Sequence, residues 1–336
     1  MTATTASIAR RRTGWVEVVR RFGRDNAWTL GLLGFLALLL VFTKLVNPNY
    51  SVISLQYTAT SVLPLALAAV AQAVVVLSGG IDLSISSQMA LTSCVAATLM
   101  KTYPGDGTAV GVVLLVLALG LLLGAINGAL VVVTRVPDII VTLATFFVWA
   151  GFALLVRAAP GGAAADWLKS LVVGPLFVDF LPKAAVLLVV IVAVIWLPLS
   201  RSRLGLSLYA IGSNPLAAFR SGVPVNRTKV ASYAITGLIA AFAGLSLTAS
   251  TGIGTPVPEP TYVLISIAAV VLGGVSLAGG TGGVFGPIVA VVVLQLIRDD
   301  MTFLRVDPNY GLVAQGFILI GVLMVGSFIQ MRRSRA

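Results

Sequence analysis

Few side chains in this sequence can do chemistry, and those few stand isolated in apolar surroundings. Asp82 lies at the centre of the nearly apolar stretch SGGIDLSISS, Ser78 to Ser87, where a charge is expensive unless it is paired or wet. With Ser84 it can cap the helix that follows, binding free amides and the positive end of the helix dipole; direct contact with a permeating polyol is the sharper alternative. Asn127 sits in GAINGAL, Gly124 to Leu130, as a mid-span amide flanked by glycines. Its default role is a close helix contact secured by an interhelical hydrogen bond, with pathway lining as the alternative. Thr142 and Thr145 lie three apart on one helical face, and each can simply bond its own backbone. Gln72, Gln295 and Gln315 invite the same reading.

The missing groups narrow the chemistry further. The chain has no histidine, and before the central basic loop only Asp82 and Asp138 are acids near apolar segments, so a proton relay would have few members. Proton coupling is disfavoured. The run Gly279 to Gly286 lacks both GxxxxGK[ST] and a nearby lysine, so it is no phosphate cradle; any ATP-driven work must come from another chain. No Cys/His cluster, paired-carboxylate site or nucleophile-and-base set is present, so neither metal binding nor a catalytic residue is indicated. The single cysteine, Cys94, falls in an apolar run and reads as core packing.

The elements that must position these groups belong in a bilayer. Of 336 residues, 58% are hydrophobic and 10% charged, with mean hydropathy +1.05, far more apolar residue than a soluble interior hides. Ten apolar segments can be read, near 27–46, 58–78, 84–100, 108–133, 139–157, 183–199, 230–250, 262–278, 284–298 and 310–329, each close to the ~20 residues a span requires. The fold class is therefore an all-α polytopic membrane protein of about ten transmembrane helices. The basic N-terminus precedes a full-length span without a small-residue cleavage site, so the first helix is expected to be retained.

The net charge of +11 reports topology rather than nucleic acid. Arg10, Arg11, Arg12, Arg20, Arg21 and Arg24 precede the first span, Arg332, Arg333 and Arg335 follow the last, and Arg201, Arg203, Arg220, Arg227 and Lys229 crowd the central loop. Positive residues mark the cytoplasmic side, so both termini and that loop are expected inside. Six spans before the loop and four after it satisfy this parity. Trp28 and Trp196 fall near the expected cytoplasmic boundaries, and Tyr262 and Tyr310 near the opposite ones. The domain reading is a basic segment at 1–26, one transmembrane domain at 27–330 with a cytoplasmic loop at 200–229, and a tail at 331–336.

Two features interrupt the apolar pattern. In the loop, Asn214 can cap a short helix, Pro215 suits its first position, Gly222 can close it and Pro224 forbids its continuation. Leu216, Ala217 and Ala218 give it small faces, so it has the look of a docking knob. Elsewhere SGGIDLSISS and LGGVSLAGGTGGVFGP, Leu272 to Pro287, each follow Val-Val-Leu, with Gly79, Gly80, Gly273, Gly274, Gly279 and Gly280 as helix breaks. Pairing spans 2–5 with spans 7–10 would make an inverted repeat whose broken helices could line a pathway; ordinary turns between hairpins are the plain alternative.

Four motifs carry a family resemblance: SGGIDLSISSQMAL (78–91), GAINGALVVVTRVPDIIVTLAT (124–145), LGLSLYAIGSNPLAAFRSGVPV (204–225) and IAAVVLGGVSLAGGTGGVFG (267–286). In this order and spacing the chain resembles the membrane permease of bacterial ABC importers for ribose, xylose, arabinose, galactose and related monosaccharides. The resemblance implies an inner-membrane dimer of ten-helix permeases, homo- or heteromeric. Two ATPase subunits that use ATP and magnesium would dock below, and a periplasmic solute-binding protein would deliver substrate above. It also implies that the loop between spans six and seven meets the ATPase, making Asn214, Pro215, Ala217, Ala218, Ser221 and Gly222 coupling candidates. No cofactor is expected in this chain, and no nucleic acid partner. Val263 and Ile265 stand where such permeases commonly carry Glu and Asp, and Ser86 replaces a glycine, which leaves open a different solute or a specialised half of a heterodimer. The alternatives are ABC uptake of an autoinducer, nucleoside, polyol or branched-chain amino acid, and, from another class, an ion-coupled carrier.

Overall fold

The computed structural model describes residues 27–306 continuously, and beyond them residues 310, 313, 316, 317, 320, 321 and 324, all helical. The arms 1–26 and 331–336, Gln315 and most of the expected last span lie outside the described residues. Within 27–306 the helices are α1 (Ala27–Val46), α2 (Val52–Leu77), α3 (Ile85–Thr102), α4 (Asp106–Thr134), α5 (Asp138–Val156), α6 (Asp166–Val172), α7 (Lys183–Arg201), α8 (Arg203–Ser213), α9 (Pro215–Arg220), α10 (Val225–Thr251), α11 (Pro260–Leu272) and α12 (Phe285–Phe303). Among the described residues the only other pairing is two isolated antiparallel bridges, Gly161 with Gly254 and Pro175 with Pro182.

Six of these helices, α1, α2, α4, α5, α7 and α10, are long and apolar enough to cross a bilayer. The protein is an all-α polytopic membrane protein. Three other expected spans are helical but fall short of that standard for identifiable reasons. Helix α3 carries Ser, Thr and Gln and is mostly buried, so protein rather than lipid surrounds it and its faces need not be apolar. Helix α11 has only 13 residues before Gly273, and α12 carries Arg298, Asp299 and Asp300 in its last two turns. The sequence reading missed α6 and α8.

Chain direction alternates between two ends. At one end the Trp28 indole donates to the Leu272 carbonyl at 2.7 Å, the Gly280 amide to the Leu77 carbonyl at 3.0 Å, and Lys229 pairs with Asp138. At the other, Gly161 and Gly254 exchange backbone bonds, Gln56 donates to the Asp179 carbonyl at 2.8 Å, and Tyr50 meets Phe303 edge-on. The start of α1 and the whole segment from α8 to the start of α10 therefore share one end, as even parity requires.

The centre of the bundle is α2, buried continuously from Val62 to Leu77, against α7, α10, α11 and α12. The closest pair is α4 with α10. Gly120, Gly124 and Gly128 recur every fourth residue and present a side-chain-free stripe; a Cβ on Gly124 would overlap the Tyr233 carbonyl, and one on Gly120 would lie within 2.5 Å of the Gly237 carbonyl. Lipid supplies no hydrophobic drive between helices, so backbone approach and dispersion hold this pair.

Candidate functional site

The loop forms the helix its residues predict. Asn214 Oδ1 accepts the Ala217 amide at 3.0 Å, Pro215 opens α9, and Gly222 at φ 82° closes it. The closure is a Schellman arrangement, with the Gly222 amide on the Phe219 carbonyl and the Val223 amide on the Ala218 carbonyl, both at 3.0 Å. One expectation needs correcting. Ala218 is 5% exposed and faces the body of the protein, so it is not part of the outward face of α9. The outward face carries Leu216 and Phe219, 59% and 68% exposed, alongside Ala217. Phe219 is a residue the sequence reading passed over; the signal was a large aromatic inside an otherwise polar, basic loop.

The two Gly-rich breaks carry the same cap. The Gly79 amide reaches the Val76 carbonyl at 2.8 Å and the Gly80 amide the Val75 carbonyl at 3.0 Å; the Gly274 amide reaches Val271 at 2.9 Å and the Val275 amide Val270 at 3.0 Å. Gly79 and Gly274 sit at φ 77° and 82°, left-handed conformations that a side chain would strain. This match pairs α2 and α3 with α11 and α12, that is, spans two and three with eight and nine. Both caps lie at the loop end, so the two breaks face the same side of the bundle.

Nor do these breaks stand apart along a pathway. They meet. A Cβ on Gly279 would come 2.9 Å from the Gly212 Cα and 2.9 Å from the Gly79 amide nitrogen, and a Cβ on Gly212 would overlap the Leu77 carbonyl and the Gly280 amide. Tyr209 Oη donates to the Gly282 carbonyl at 2.9 Å. Helix α8, which leads directly into α9, is thus seated by backbone contact across the junction of both breaks.

Behind the first break is a buried polar network. Asp82 accepts the Ser84 amide at 2.8 Å and the Ser84 hydroxyl at 2.6 Å, and Gln88 Nε2 approaches it at 3.3 Å. Ser84 Oγ in turn accepts from Asn127 Nδ2 at 2.7 Å and Gln88 Nε2 at 2.8 Å, and Trp149 Nε1 donates to Asn127 Oδ1 at 3.3 Å. The expected capping role holds only in part: Asp82 takes the amide of Ser84, the residue just before α3, whereas the Ser84 side chain caps no amide. Asn127 does make its interhelical bond, tying α4 to the break. Thr142 Oγ1 donates to the Asp138 carbonyl at 2.9 Å, with the Ile81 carbonyl at 3.2 Å, and accepts the Leu83 amide at 3.1 Å; Thr145 bonds only within α5. Gln295 donates to Asp299 at 2.9 Å. Cys94 is buried and free.

Among the described residues, Ser86 is buried with no partner for its hydroxyl, and Gln72 is buried in mid-α2 with both side-chain polar atoms unpartnered. Val263 and Ile265 are buried and apolar on α11, so no carboxylate occupies those places.

The sequence reading also missed a triad at the loop's exit. Lys229 Nζ lies 2.9 Å from Asp138 Oδ1, and Tyr233 Oη donates to Asp138 Oδ2 at 2.8 Å. The acid and the lysine, 91 residues apart, are opposite charges at the ends of apolar helices, which is where lone charges must find a partner.

Six helices long and apolar enough to cross a bilayer, with the capped helix α9 carried on a helix seated across two Gly-rich breaks, mark an integral membrane protein. The chain belongs to the family of branched-chain amino acid transport system permease components, whose pattern matches residues 54–323. Within it, the four motifs place the chain with the monosaccharide-type ABC importer permeases. It is similar to the autoinducer 2 import system permease protein LsrD of Escherichia coli (strain K12) and of Shigella flexneri, in each case 29% identical over 316 residues, 92% of this chain and 94% of the relative. No solved structure matches significantly.

Proposed function

We propose that this chain is the membrane-spanning subunit of an ATP-driven ABC importer that takes up a monosaccharide-sized polar solute. The observation that carries the reading is the exposed, capped helix α9, whose preceding helix α8 is seated on both helix breaks. An exposed Leu216–Phe219 face suits insertion into a partner's groove, and rigid attachment to the breaks gives that partner purchase on the transmembrane helices. ATP and magnesium would be used by two docked ATPase subunits, with no cofactor in this chain. A periplasmic binding protein would deliver solute, and a second permease copy or homologue would complete the pathway.

In this reading the protein lies in the bacterial inner membrane with both termini and the 200–229 loop cytoplasmic. It crosses ten times, with α3, α11, α12 and the 310–329 segment joining the six long helices inside a single 27–330 domain. Pentose or hexose uptake follows from the four motifs. Autoinducer-2 uptake is the second reading, favoured by the relatives named above. Cross-linking in native membranes, followed by affinity purification and mass spectrometry, is the test. Recovery of an ATPase and a periplasmic binding protein supports the importer, and the captured binding protein can be titrated with ribose, xylose, arabinose, galactose and autoinducer-2 to separate the two readings. Recovery of neither, with intact chain in the eluate, refutes it.

A further inference from the structure

The loop is fixed to the first helix break at both of its ends. At its entry Gly212 closes on Leu77 and Gly280. At its exit Pro224 hands over to α10, a continuous helix from Val225 to Thr251, so any displacement of α9 reaches the first turns of α10 as a rigid shift. Three residues on those turns touch the first break or the start of α5: Lys229 and Tyr233 through Asp138, and Ser232, whose hydroxyl lies 3.0 Å from that of Ser78. Asp138 is the first residue of α5. One turn further along, Thr142 holds the Ile81 carbonyl and the Leu83 amide, the residues on either side of Asp82. Helix α5 packs mainly on α3, which itself begins at this break. Gly80 explains how the pieces fit: it has no positive φ to demand glycine, yet a Cβ there would lie 2.6 Å from Asp138 Oδ2 and 2.8 Å from Tyr233 Oη. The glycine is needed for room, and the space it leaves is filled by the ion pair and the phenol.

We propose that Lys229, Asp138 and Tyr233 form a latch through which movement of the cytoplasmic loop is transmitted to α5 and the Ile81–Leu83 segment. All three are positioning residues that never touch the solute. Lys229 moves with the loop, Asp138 carries the force into α5, and Tyr233 holds the second carboxylate oxygen so that the ion pair cannot swivel. The proposal rests on the reading of the loop as the ATPase contact.

The test uses the full chain copurified with its ATPase and reconstituted in liposomes, with Ile81→Cys as reporter; Cys94 is buried and stays silent. Maleimide labelling of the reporter is timed with and without magnesium-ATP and vanadate. In the otherwise native chain, nucleotide is expected to change the labelling rate. Lys229→Met and Asp138→Asn are expected to reduce that change about fivefold or more, the lower part of the usual range for coupling between sites, while the ATPase still copurifies. Lys229→Arg should retain the response, and Tyr233→Phe, which keeps both charges but frees Asp138 Oδ2, should weaken it with the ATPase still bound, an effect that an ion pair acting only as a stabiliser would not produce.

If Lys229→Met or Asp138→Asn responds like the native chain, or if the native reporter ignores nucleotide although the ATPase is bound, the latch is wrong. If either variant fails to elute as a single species, Tyr233→Phe decides: folded with the native response, it overturns the latch. Absence of the ATPase from the native preparation instead defeats the functional reading and is seen before any labelling is done.

Discussion

Replacing Asn127 by leucine tests whether the polar network behind the first break is structural. The two side chains are of similar size, so cavity and overpacking effects are small. What changes is the bonding: the donor to Ser84 Oγ at 2.7 Å and the acceptor for Trp149 Nε1 at 3.3 Å both disappear. Side-chain hydrogen bonds between membrane helices average about 0.6 kcal/mol each, and leaving the buried indole N–H unpaired adds about 1–3 kcal/mol. The expected destabilisation is about 2–4 kcal/mol, read as the loss of helical circular dichroism during titration of mild-detergent micelles with dodecyl sulfate. A cycle sharpens the test. In a Trp149→Phe background the orphaned indole no longer exists, so Asn127→Leu should cost about 1–3 kcal/mol less there than in the native chain. A single variant within about 0.5 kcal/mol of the native protein, or strict additivity in the cycle, would refute the structural assignment and move Asn127 toward the alternative, contact with the permeating solute.

Further outcomes follow from local geometry. Ala217→Glu places a charged side chain on the exposed face of α9 and is expected to abolish ATP-driven uptake while membrane insertion, judged by protease protection, is unchanged; Phe219→Ala should weaken ATPase copurification by about tenfold, the loss of one hot-spot anchor. Gly124→Leu drives a side chain into the Tyr233 carbonyl and should eliminate folded protein on size-exclusion chromatography, whereas Gly31→Ala, with open space around its Cβ position in α1, should raise stability by about 0.5–1 kcal/mol in the same titration. Cys94, fully buried between helices, should resist maleimide in native membranes and react completely after denaturation; rapid labelling of the native protein would contradict the placement of α3.

Much of the fold could be read from residue order alone because the bilayer is a severe solvent. Every unpaired backbone group is costly in hydrocarbon, so apolar segments such as 27–46, 139–157 and 183–199 had to be helices, and α1, α5 and α7 follow them closely. The α9 cap was readable for a similarly local reason: Asn214, Pro215 and Gly222 each act within one turn of backbone. Segments that meet protein instead of lipid were harder. Helix α3 is polar for a span because α10 and α5 cover it, and α8 is too short and mixed to announce itself.

The site divides along the same line. Sequence alone determined that Asp82, Asn127 and the glycine pairs were out of place in apolar segments and needed an explanation, since isolated polar groups and helix breakers are costly wherever they fall. Only the tertiary structure decided their partners: that Asn127 serves Ser84 and Trp149, that both breaks meet under Gly212, and that Asp138 finds Lys229 across 91 residues. Those partnerships depend on which helices lie side by side, and that is settled by the close approach of glycine-lined backbones over the whole bundle, a property no single stretch of sequence contains.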